Sequence, residues 1–420
     1  MTARQLALKV LYEVDKENAF TGIELKKQLS ASDLSGVDRA FATELVYGVV
    51  KNRTRLDYII SKYSKQKLKK ISPWIINILR MGVYQLVFLD KIPSSAAVNE
   101  SVKLAKRYGH QASSGFVNGV LRNLDRNGDV QYPKGREYYE VYYSHPKWLV
   151  DMLFDQYGDE AKNIIENNNK VPPTTVRINP LKAKAEDVAK SLTDKGIIVG
   201  KTDYENVLEI SGYGDISKLS EYTDGYVTPQ GTSSYMAASL VEPKKGEVIM
   251  DLCSAPGGKT TAMAEISGDE AKIYAFDLYE HKIKLINNNC KRLGVKSVEA
   301  KAWDATVLME EFVGKADKVL ADVPCSGIGI IRKKPDIKWN KETEDFDAII
   351  NIQKKILENA GKYLKKGGTL LYSTCTVNKN ENENVANEFA DKNGFRILHM
   401  QTVLPGEEYD GFFICKMTKE

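Results

Sequence analysis

The sequence predicts a multidomain chain with an all-α bundle at the N-terminus, a small α/β module after it, and a C-terminal α/β domain built on a parallel sheet. A chain of 420 residues with 42% apolar side chains is long enough for two or three hydrophobic cores. Apolar residues recur at helical spacing up to about residue 125, whereas short apolar runs alternate with amphipathic helices from about Gly231 onward. We therefore expect domains over residues 1–126, 137–229 and 230–420.

The N-terminal bundle is predicted from the spacing of its apolar residues. Thr2 and Gln5 have the three-residue separation of a capping box. Apolar residues at i, i+3, i+4 and i+7 share one helix face, and they do so twice: as Ala7, Val10, Leu11 and Val14, and as Val117, Val120, Leu121 and Leu124. Glycine, proline and charged residues interrupt the pattern over 125–136, which predicts a linker.

Residues 137–229 are predicted to form the small α/β module. Helical HPKWLVDMLFDQYG is separated by NNNKVPP from the strand-like run TTVRINP. A helix-like segment, AEDVAKSLTDKG, then leads into strand-like IIVGKT. This order of strand, helix and strand is typical of a small α/β unit.

Charge is distributed unevenly along the chain. Residues 1–140 contain 23 basic and 14 acidic side chains and so carry +9, which leaves −5 for the rest of a chain whose total is +4. The total neither demands nor excludes a nucleic-acid partner, and the basic N-terminal module is a first hint of one. The net charge of the whole chain hides this feature.

Several classes of protein are excluded by the composition. The five cysteines include no CxxC pair and no histidine lies at ligand spacing from them, so we expect neither a metal site nor a disulfide framework. The N-terminus lacks the apolar stretch of a signal peptide. The most apolar window, 71–89, is interrupted by Asn77, Arg80 and Gln85, which makes it too polar for a membrane span. We expect a cytoplasmic protein with no membrane partner.

An aspartate stands at or near the end of each of four predicted strands. The strands of the C-terminal domain are EVIMD, KIYAFD, VEAKAWD, VLADVP and TLLYST, and the aspartates are Asp251, Asp277, Asp304 and Asp322. One aspartate after a strand is ordinarily a helix cap. Because ligands bind beyond the carboxyl ends of parallel strands, four in register indicate a ligand site.

The turn CSAPGGKT, from Cys253 to Thr260, opens a helix and lets backbone amides approach a ligand. It is a poor phosphate cradle, because Cys253 occupies the place of the first Walker-loop glycine and no GxGxxG is present. It suits a zwitterion instead. With Asp277 placed to accept ribose hydroxyls and Asp304 beside an adenine, the pattern favours S-adenosylmethionine (SAM). The alternative is a dinucleotide enzyme with a degenerate loop.

Two cysteines follow the last two strands, Cys325 in DVPCSG and Cys375 in STCT. Lone cysteines are mostly buried small hydrophobes, which is our interpretation of Cys290 and Cys415. A pair over one crevice suits methylation of cytosine C5, a carbon that becomes nucleophilic only after a thiolate adds to C6. Asp322 would contact the ring near N3, either as an acid whose pKa burial raises or as a carboxylate bound to a protonated nitrogen. Chemistry alone leaves open which cysteine is the nucleophile.

The motifs CSAPGGKT, DVPCSGIGIIRKKPDIKW and STCTVNKNENE resemble those of the NOL1/NOP2/Sun family of RNA 5-methylcytosine methyltransferases. The helices DRAFATELVYGVV and GFVNGVLRNL look like the NusB-type RNA-binding domain that precedes the catalytic part in enzymes acting on bacterial small-subunit ribosomal RNA. The resemblance implies a NusB-like bundle, a small RRM-like α/β module and a Rossmann-like class I SAM methyltransferase domain.

The resemblance also implies roles for individual residues. Asp277 would bind the ribose of SAM, Asp304 would lie on the adenine side, and Asp322 would face both cofactor and target base. The loop that would hold the methionine portion consists of Cys253, Ser254, Ala255, Pro256, Gly257, Gly258 and Lys259. In this family the TC cysteine is the nucleophile and the PC cysteine assists product release, which assigns Cys375 and Cys325. One departure is Gly231 after Gln230, where family members often have an aspartate.

We expect the substrate to be a cytosine in 16S ribosomal RNA rather than DNA, and the protein to be a monomer. Transfer RNA as substrate, or a non-catalytic RNA-binding or assembly factor with a vestigial methyltransferase fold, are the alternatives. Arg177 would either touch RNA or brace its strand. Two basic groups are candidate RNA contacts, the first of which is alternatively a solvated face: Lys62, Lys65, Lys67, Lys69 and Lys70, and Arg332, Lys333, Lys334 and Lys338 with Trp339.

Overall fold

A computed structural model describes residues 1–17, 19–340 and 345–420 of the chain. The chain divides into two compact units. The first contains Met1–Asn169 and Ile331–Lys341, and the second contains Lys170–Ile330 and Glu342–Glu420. A short stretch from the C-terminal half of the sequence therefore belongs to the N-terminal unit.

The chain up to Asn169 is helical, and the predicted bundle is confirmed. Its α-helices are α1 (Ala3–Glu17), α2 (Thr21–Ser30), α3 (Gly36–Lys51), α4 (Arg53–Tyr63), α5 (Pro73–Phe88), α6 (Ser94–Tyr108), α7 (Gln111–Asn127), α8 (Arg136–Val141), α9 (Lys147–Tyr157) and α10 (Ala161–Asn167). The predicted capping box forms, because the Thr2 amide donates to Gln5 Oε1 at 3.1 Å and the Gln5 amide donates to Thr2 Oγ1 at 3.3 Å. The apolar residues predicted on the two helix faces are all buried.

Helix α5 is buried over the whole stretch from Ile75 to Gln85. Its arginine, Arg80, forms ion pairs of 2.6 Å with Asp15 of α1 and 2.7 Å with Asp57 of α4. A buried guanidinium requires such partners, so the polar residues that interrupt the apolar window bind neighbouring helices. Within the described ranges, no helix is long and apolar enough to cross a membrane.

Hydrogen bonds hold the segment that begins at Ile331 against the helices of this unit. Lys338 Nζ donates to the backbone carbonyls of Lys51 and Ser144 at 2.8 and 2.7 Å. The indole of Trp339 donates to the Val50 carbonyl at 2.8 Å. The predicted domain limits 1–126, 137–229 and 230–420 therefore differ from the compact units, which assign helices α8 to α10 and this segment to the first.

The second unit opens with the predicted α/β module. Its elements are β1 (Thr174–Ile178), α11 (Ala185–Asp194), β2 (Ile198–Lys201), β3 (Val207–Ser211), α12 (Ser220–Thr223) and β4 (Val227–Pro229). The sheet has the order β2-β3-β1-β4, and every neighbouring pair is antiparallel. Residues of β1 and β3 pack on Val188 and Leu192 of α11 to form the core of this module.

The rest of the second unit is a seven-stranded sheet of order β10-β11-β9-β8-β5-β6-β7 with helices on it. Its elements are α13 (Thr232–Leu240), β5 (Val248–Asp251), α14 (Gly258–Ile266), β6 (Lys272–Asp277), α15 (Glu280–Leu293), β7 (Val298–Ala302), β8 (Ala316–Asp322), α16 (Asp345–Tyr363), β9 (Leu364–Thr374), α17 (Glu383–Asn393), β10 (Phe395–Val403) and β11 (Phe412–Lys419). The five predicted strands are parallel, and β11 runs antiparallel to both β9 and β10. The sheet order changes direction around β5, so ligands are expected beyond its carboxyl end.

Candidate active site

The loop between β5 and α14 forms one wall of a cavity of about 190 Å³. Gly257 has φ +97°, and a Cβ atom there would lie 3.3 Å from the Ile286 Cα, so the turn favours glycine. Ser254 is tied to β6 because its hydroxyl donates to the Phe276 carbonyl at 2.8 Å. The residues that line the cavity are Pro229, Gln230, Gly231, Ser234, Asp251, Cys253, Ser254, Ala255, Pro256, Gly258, Lys259 and Asp322.

The buried side chain of Asp251 lines this cavity and has one unused acceptor. Its Oδ2 accepts a hydrogen bond of 2.7 Å from the Thr260 hydroxyl, whereas its Oδ1 has no partner among the described residues. Burial raises the pKa of Asp251 to about 7. An orphaned acceptor in a cavity bordered by a helix N-terminus fits the ammonium and carboxylate of an amino-acid group, as in SAM.

The two acids assigned to the nucleoside part lie in different surroundings. Asp277 ends β6, where its Oδ2 accepts from the Ala255 amide at 3.2 Å and its Oδ1 lies 3.2 Å from Lys282 Nζ. Asp304 is exposed, and its Oδ1 accepts from the amide and hydroxyl of Thr306. The Trp303 amide donates to the Asp277 carbonyl at 2.9 Å, so the two strand ends are adjacent. Neither acid is part of the cavity wall.

At the end of β8, Asp322 is bound by two side chains. Lys259 Nζ lies 2.6 Å from its Oδ2, and the Ser373 hydroxyl donates to its Oδ1 at 2.8 Å. Burial lowers the pKa of Lys259, but the charge and hydrogen bond of Asp322 outweigh it, so the pKa is raised overall. The ion pair with Lys259 favours the second of the two alternatives, binding through a protonated ring nitrogen.

The two motif cysteines are brought together. Cys325 Sγ and Cys375 Sγ lie 3.2 Å apart, and both side chains are partly exposed. The hydrogen bond with Cys375, then burial, raises the pKa of the Cys325 thiol well above its ordinary value. The other cysteines differ in kind, because Cys290 and Cys415 are buried, as predicted. Cys253 lines the cavity, where burial also raises the pKa of its thiol.

Arg177 braces its strand from a buried position. Its guanidinium forms an ion pair of 2.8 Å with Glu265, and both side chains are 1% exposed. It also donates to the Gly258 carbonyl at 2.7 Å and to the Gln230 side chain. Of the two alternatives from the sequence, the structural one therefore describes Arg177, which holds the start of α14. Gln230 and Ser234 belong to the cavity wall, as does Gly231, the residue at which this chain departs from the family pattern.

The basic residues predicted to surround the target base have different environments. Lys338 is buried on backbone carbonyls, and burial lowers its pKa well below the ordinary value. Arg332 is buried as well, whereas Lys333 and Lys334 are exposed. The prediction that Lys338 contacts RNA is therefore wrong. The lysines of the first group are all exposed.

Family models match most of the chain. The model described as 16S rRNA methyltransferase RsmB/F matches residues 238–418, that of the NusB family matches 1–126, and that of the RsmF/B-like ferredoxin-like domain matches 145–217. The fold and the site, with these matches, define a SAM-dependent methyltransferase.

Similar proteins align with the chain from end to end. Probable ribosomal RNA small subunit methyltransferase B of Bacillus subtilis is 36% identical, over 100% of this chain and 99% of that protein. Ribosomal RNA small subunit methyltransferase B of Klebsiella pneumoniae is 33% identical, over 99% and 98%. The solved structure of PH0851 has a TM-score of 0.84 at 25% identity, over 100% and 99%. The chain therefore belongs to the RsmB/F methyltransferase family.

Proposed function

We propose that the protein methylates C5 of a cytosine in 16S ribosomal RNA through a covalent adduct between Cys375 and C6. The observation that carries the proposal is the pair of thiols 3.2 Å apart in the loops that follow β8 and β9. The end of β8 also holds Asp322, an acid that lines the cofactor cavity. Methylation of an amino group would need no thiol. The relatives reported above are named as methyltransferases of small-subunit ribosomal RNA, which favours this RNA as the substrate.

The residues of the cavity would hold the cofactor as the sequence assigns them. When bound, SAM supplies a methyl group on a positively charged sulfur. The loop from Cys253 to Lys259 would hold the methionine portion, with the Asp251 Oδ1 as an acceptor for the ammonium. Asp277 would accept the ribose hydroxyls, and Asp304 would border the adenine at the next strand end.

Catalysis by the protein side chains follows in two stages. The Cys375 thiolate adds to C6 of the cytosine, while the Asp322 carboxylate binds the protonated N3 side and stabilises charge that develops on the ring. C5 is then nucleophilic and accepts the methyl group. A base then removes the C5 proton, and the C6–S bond breaks with its electron pair on Cys375. The Cys325 thiol, 3.2 Å from that sulfur, assists this release by donating a hydrogen bond to the leaving thiolate.

A surface of the first unit offers a second set of RNA contacts. Residues 58–89 contain no aspartate or glutamate, and the lysines from Lys62 to Lys70 are exposed. Lys62 Nζ lies 4.4 Å from the ring centre of Tyr58, which stacks on Tyr132. Lysines suit phosphates, and aromatic rings suit unpaired bases, so this basic aromatic surface, defined by residues 58–70 and Tyr132, fits folded RNA.

We infer a monomer, because the described residues of one chain include all those assigned to the site. We also infer a cytoplasmic protein, which ribosomal RNA as substrate favours. Transfer RNA is the other candidate substrate of the same chemistry. The intact set of Asp322, Cys325 and Cys375 argues against the vestigial fold of a non-catalytic assembly factor.

Product analysis tests the proposal. Labelled SAM, the protein and undermethylated 16S RNA should give labelled 5-methylcytosine, whereas transfer RNA and DNA of equal length should give none. Label in an amino-methylated base would contradict the C5 chemistry. Label in transfer RNA alone would contradict the assignment of 16S ribosomal RNA as the substrate. Binding of RNA without methyl transfer would favour a non-catalytic assembly factor.

A further inference from the structure

A buried carboxylate lies behind the two cysteines. Glu381 is fully buried, just before α17. Its Oε2 accepts from the Ser326 amide at 2.8 Å and from Gln353 Nε2 at 3.1 Å, and its Oε1 accepts from Asn378 Nδ2 at 3.1 Å. All three partners are donors, which fits an ionised carboxylate. In the part of the chain that the structure describes, no ion pair involves Glu381, so these donors are what compensates its burial.

The contacts of Glu381 fix the backbone on both sides of Cys325. Ser326, the next residue, gives its amide to Glu381, and Gln353 links Glu381 to the preceding residue by donating to the Pro324 carbonyl at 2.9 Å. The Ser326 hydroxyl also lies 2.7 Å from the hydroxyl of Thr376, the residue after Cys375. The two cysteine loops are thereby joined.

We propose that Glu381 is a positioning residue that holds the Cys325 thiol beside Cys375 for the release step. The proposal rests on the roles given to the two cysteines under the proposed function. It adds that Glu381 sets the distance between the Cys325 and Cys375 sulfur atoms. The Cys325 thiol interacts electrostatically with three ionisable groups: Cys375, Glu381 and Tyr372. The negative charge of Glu381 contributes to raising the pKa of Cys325, so this position also favours the protonated thiol.

The test replaces Glu381 by glutamine and uses Glu383 as the matched control. Glu381→Gln keeps the side-chain shape, removes the charge, and replaces one acceptor oxygen by an NH2 group, which cannot accept from the donors that surround it. Glu383→Gln makes the same change two residues later, where the carboxylate accepts from the Thr402 hydroxyl at 2.6 Å and not from the cysteine loops. Circular dichroism and the melting temperature check that both variants fold.

The first measurement needs neither RNA nor cofactor. The rate of Cys325 alkylation by iodoacetamide is followed against pH by peptide mass spectrometry. In Glu381→Gln the profile should move to lower pH, because loss of a nearby negative charge lowers the pKa of the thiol. In Glu383→Gln it should stay with the wild type. An unchanged profile in Glu381→Gln would overturn the proposal.

The second measurement follows release in a single turnover with undermethylated 16S RNA. Glu381→Gln should retain the covalent RNA adduct, with release slowed by roughly tenfold or more and the KM for SAM unchanged. Equal release rates in this variant and the wild type would overturn the positioning role. A shifted alkylation profile without an adduct in any protein would support the placement of Cys325 by Glu381 and contradict the covalent route instead.

A second variant covers the case in which Glu381→Gln does not fold. Gln353→Met removes the contact with the Pro324 carbonyl but leaves the charge of Glu381 in place. It should slow release without moving the alkylation profile of Cys325. Release at the wild-type rate would overturn the proposal.

Discussion

Burial decides the charge of Asp251, the acid with an unused acceptor in the cofactor cavity. Its Oδ1 has no partner among the described residues, and burial raises its pKa to about 7. A carboxyl group in this range changes its charge near physiological pH. The cavity therefore contains a group whose ability to bind an ammonium depends on pH.

We predict that SAM affinity rises from about pH 6 to about pH 8 by up to roughly tenfold, because the carboxylate form of Asp251 is needed and appears as pH passes its raised pKa. Calorimetric titration across this range measures the effect. Asp251→Asn should bind weakly and lose the pH dependence. Wild-type affinity that is constant over this range would show that Asp251 does not contact the ammonium.

Single residues were predictable where a motif carries them and not where a tertiary contact does. The acid and cysteines at the ends of β8 and β9 follow from their place after predicted strands. The ion pair between Lys259 and Asp322 joins residues 63 positions apart, and that of Arg177 with Glu265 joins residues 88 apart. Neither spacing has a local signature. Glu381 belongs to the quoted motif STCTVNKNENE, but its role depends on the Ser326 amide.

At the scale of elements, the turn from β5 into α14 determines where the backbone amides that would bind the cofactor lie. Gly257 combines a positive φ with close approach to α15, whereas Gly246 has φ +78° with open space around it. The two glycines thus separate the cost of backbone strain from the cost of a steric contact.

We predict that Gly257→Ala lowers the free energy of unfolding by about 1–3 kcal/mol and weakens SAM binding. The new Cβ would crowd the Ile286 backbone and so displace the loop that binds the cofactor. Gly246→Ala should lower stability by about 1 kcal/mol and leave SAM binding unchanged. Thermal unfolding and calorimetry measure both. Equal loss of SAM affinity in the two variants would mean that the contact with α15 is irrelevant.

The five parallel strands were predictable because each is a short apolar run between amphipathic helices. The last two strands were not predicted. In β10 most residues are at least partly exposed, so no apolar run marks it. Strand β11 lies between β9 and β10 and is antiparallel to both, a placement that depends on pairing with residues of β9 that are 39 to 49 positions away.

At the scale of the whole molecule, the compact units do not follow the order of the sequence. Charge and helical periodicity predicted a basic N-terminal module, and the helical unit confirms that part. The segment after Ile330 was predicted to contact RNA near Cys325, yet Lys338 binds the Lys51 carbonyl, 287 positions earlier. A basic run in a sequence does not distinguish a lysine that meets phosphate from one that meets buried carbonyls.

We predict that the basic aromatic surface contributes to RNA binding. Lys67→Gln with Lys69→Gln should weaken affinity for 16S RNA and reduce the slope of log affinity against log salt by roughly 1 to 2. Filter binding at several salt concentrations measures both quantities. The matched control, Lys315→Gln with Lys366→Gln, neutralises two exposed lysines of the second unit and should change neither. Identical slopes for the two double variants would contradict the assignment.

The most direct test of the account is to map the covalent adduct. Cys325→Ser, incubated with SAM and undermethylated 16S RNA, should accumulate protein joined to RNA, and nuclease and protease digestion followed by mass spectrometry should place the nucleotide on the Cys375 peptide. Cys375→Ser should form no adduct. A nucleotide on Cys325, or an adduct in Cys375→Ser, would contradict the assignment of the nucleophile.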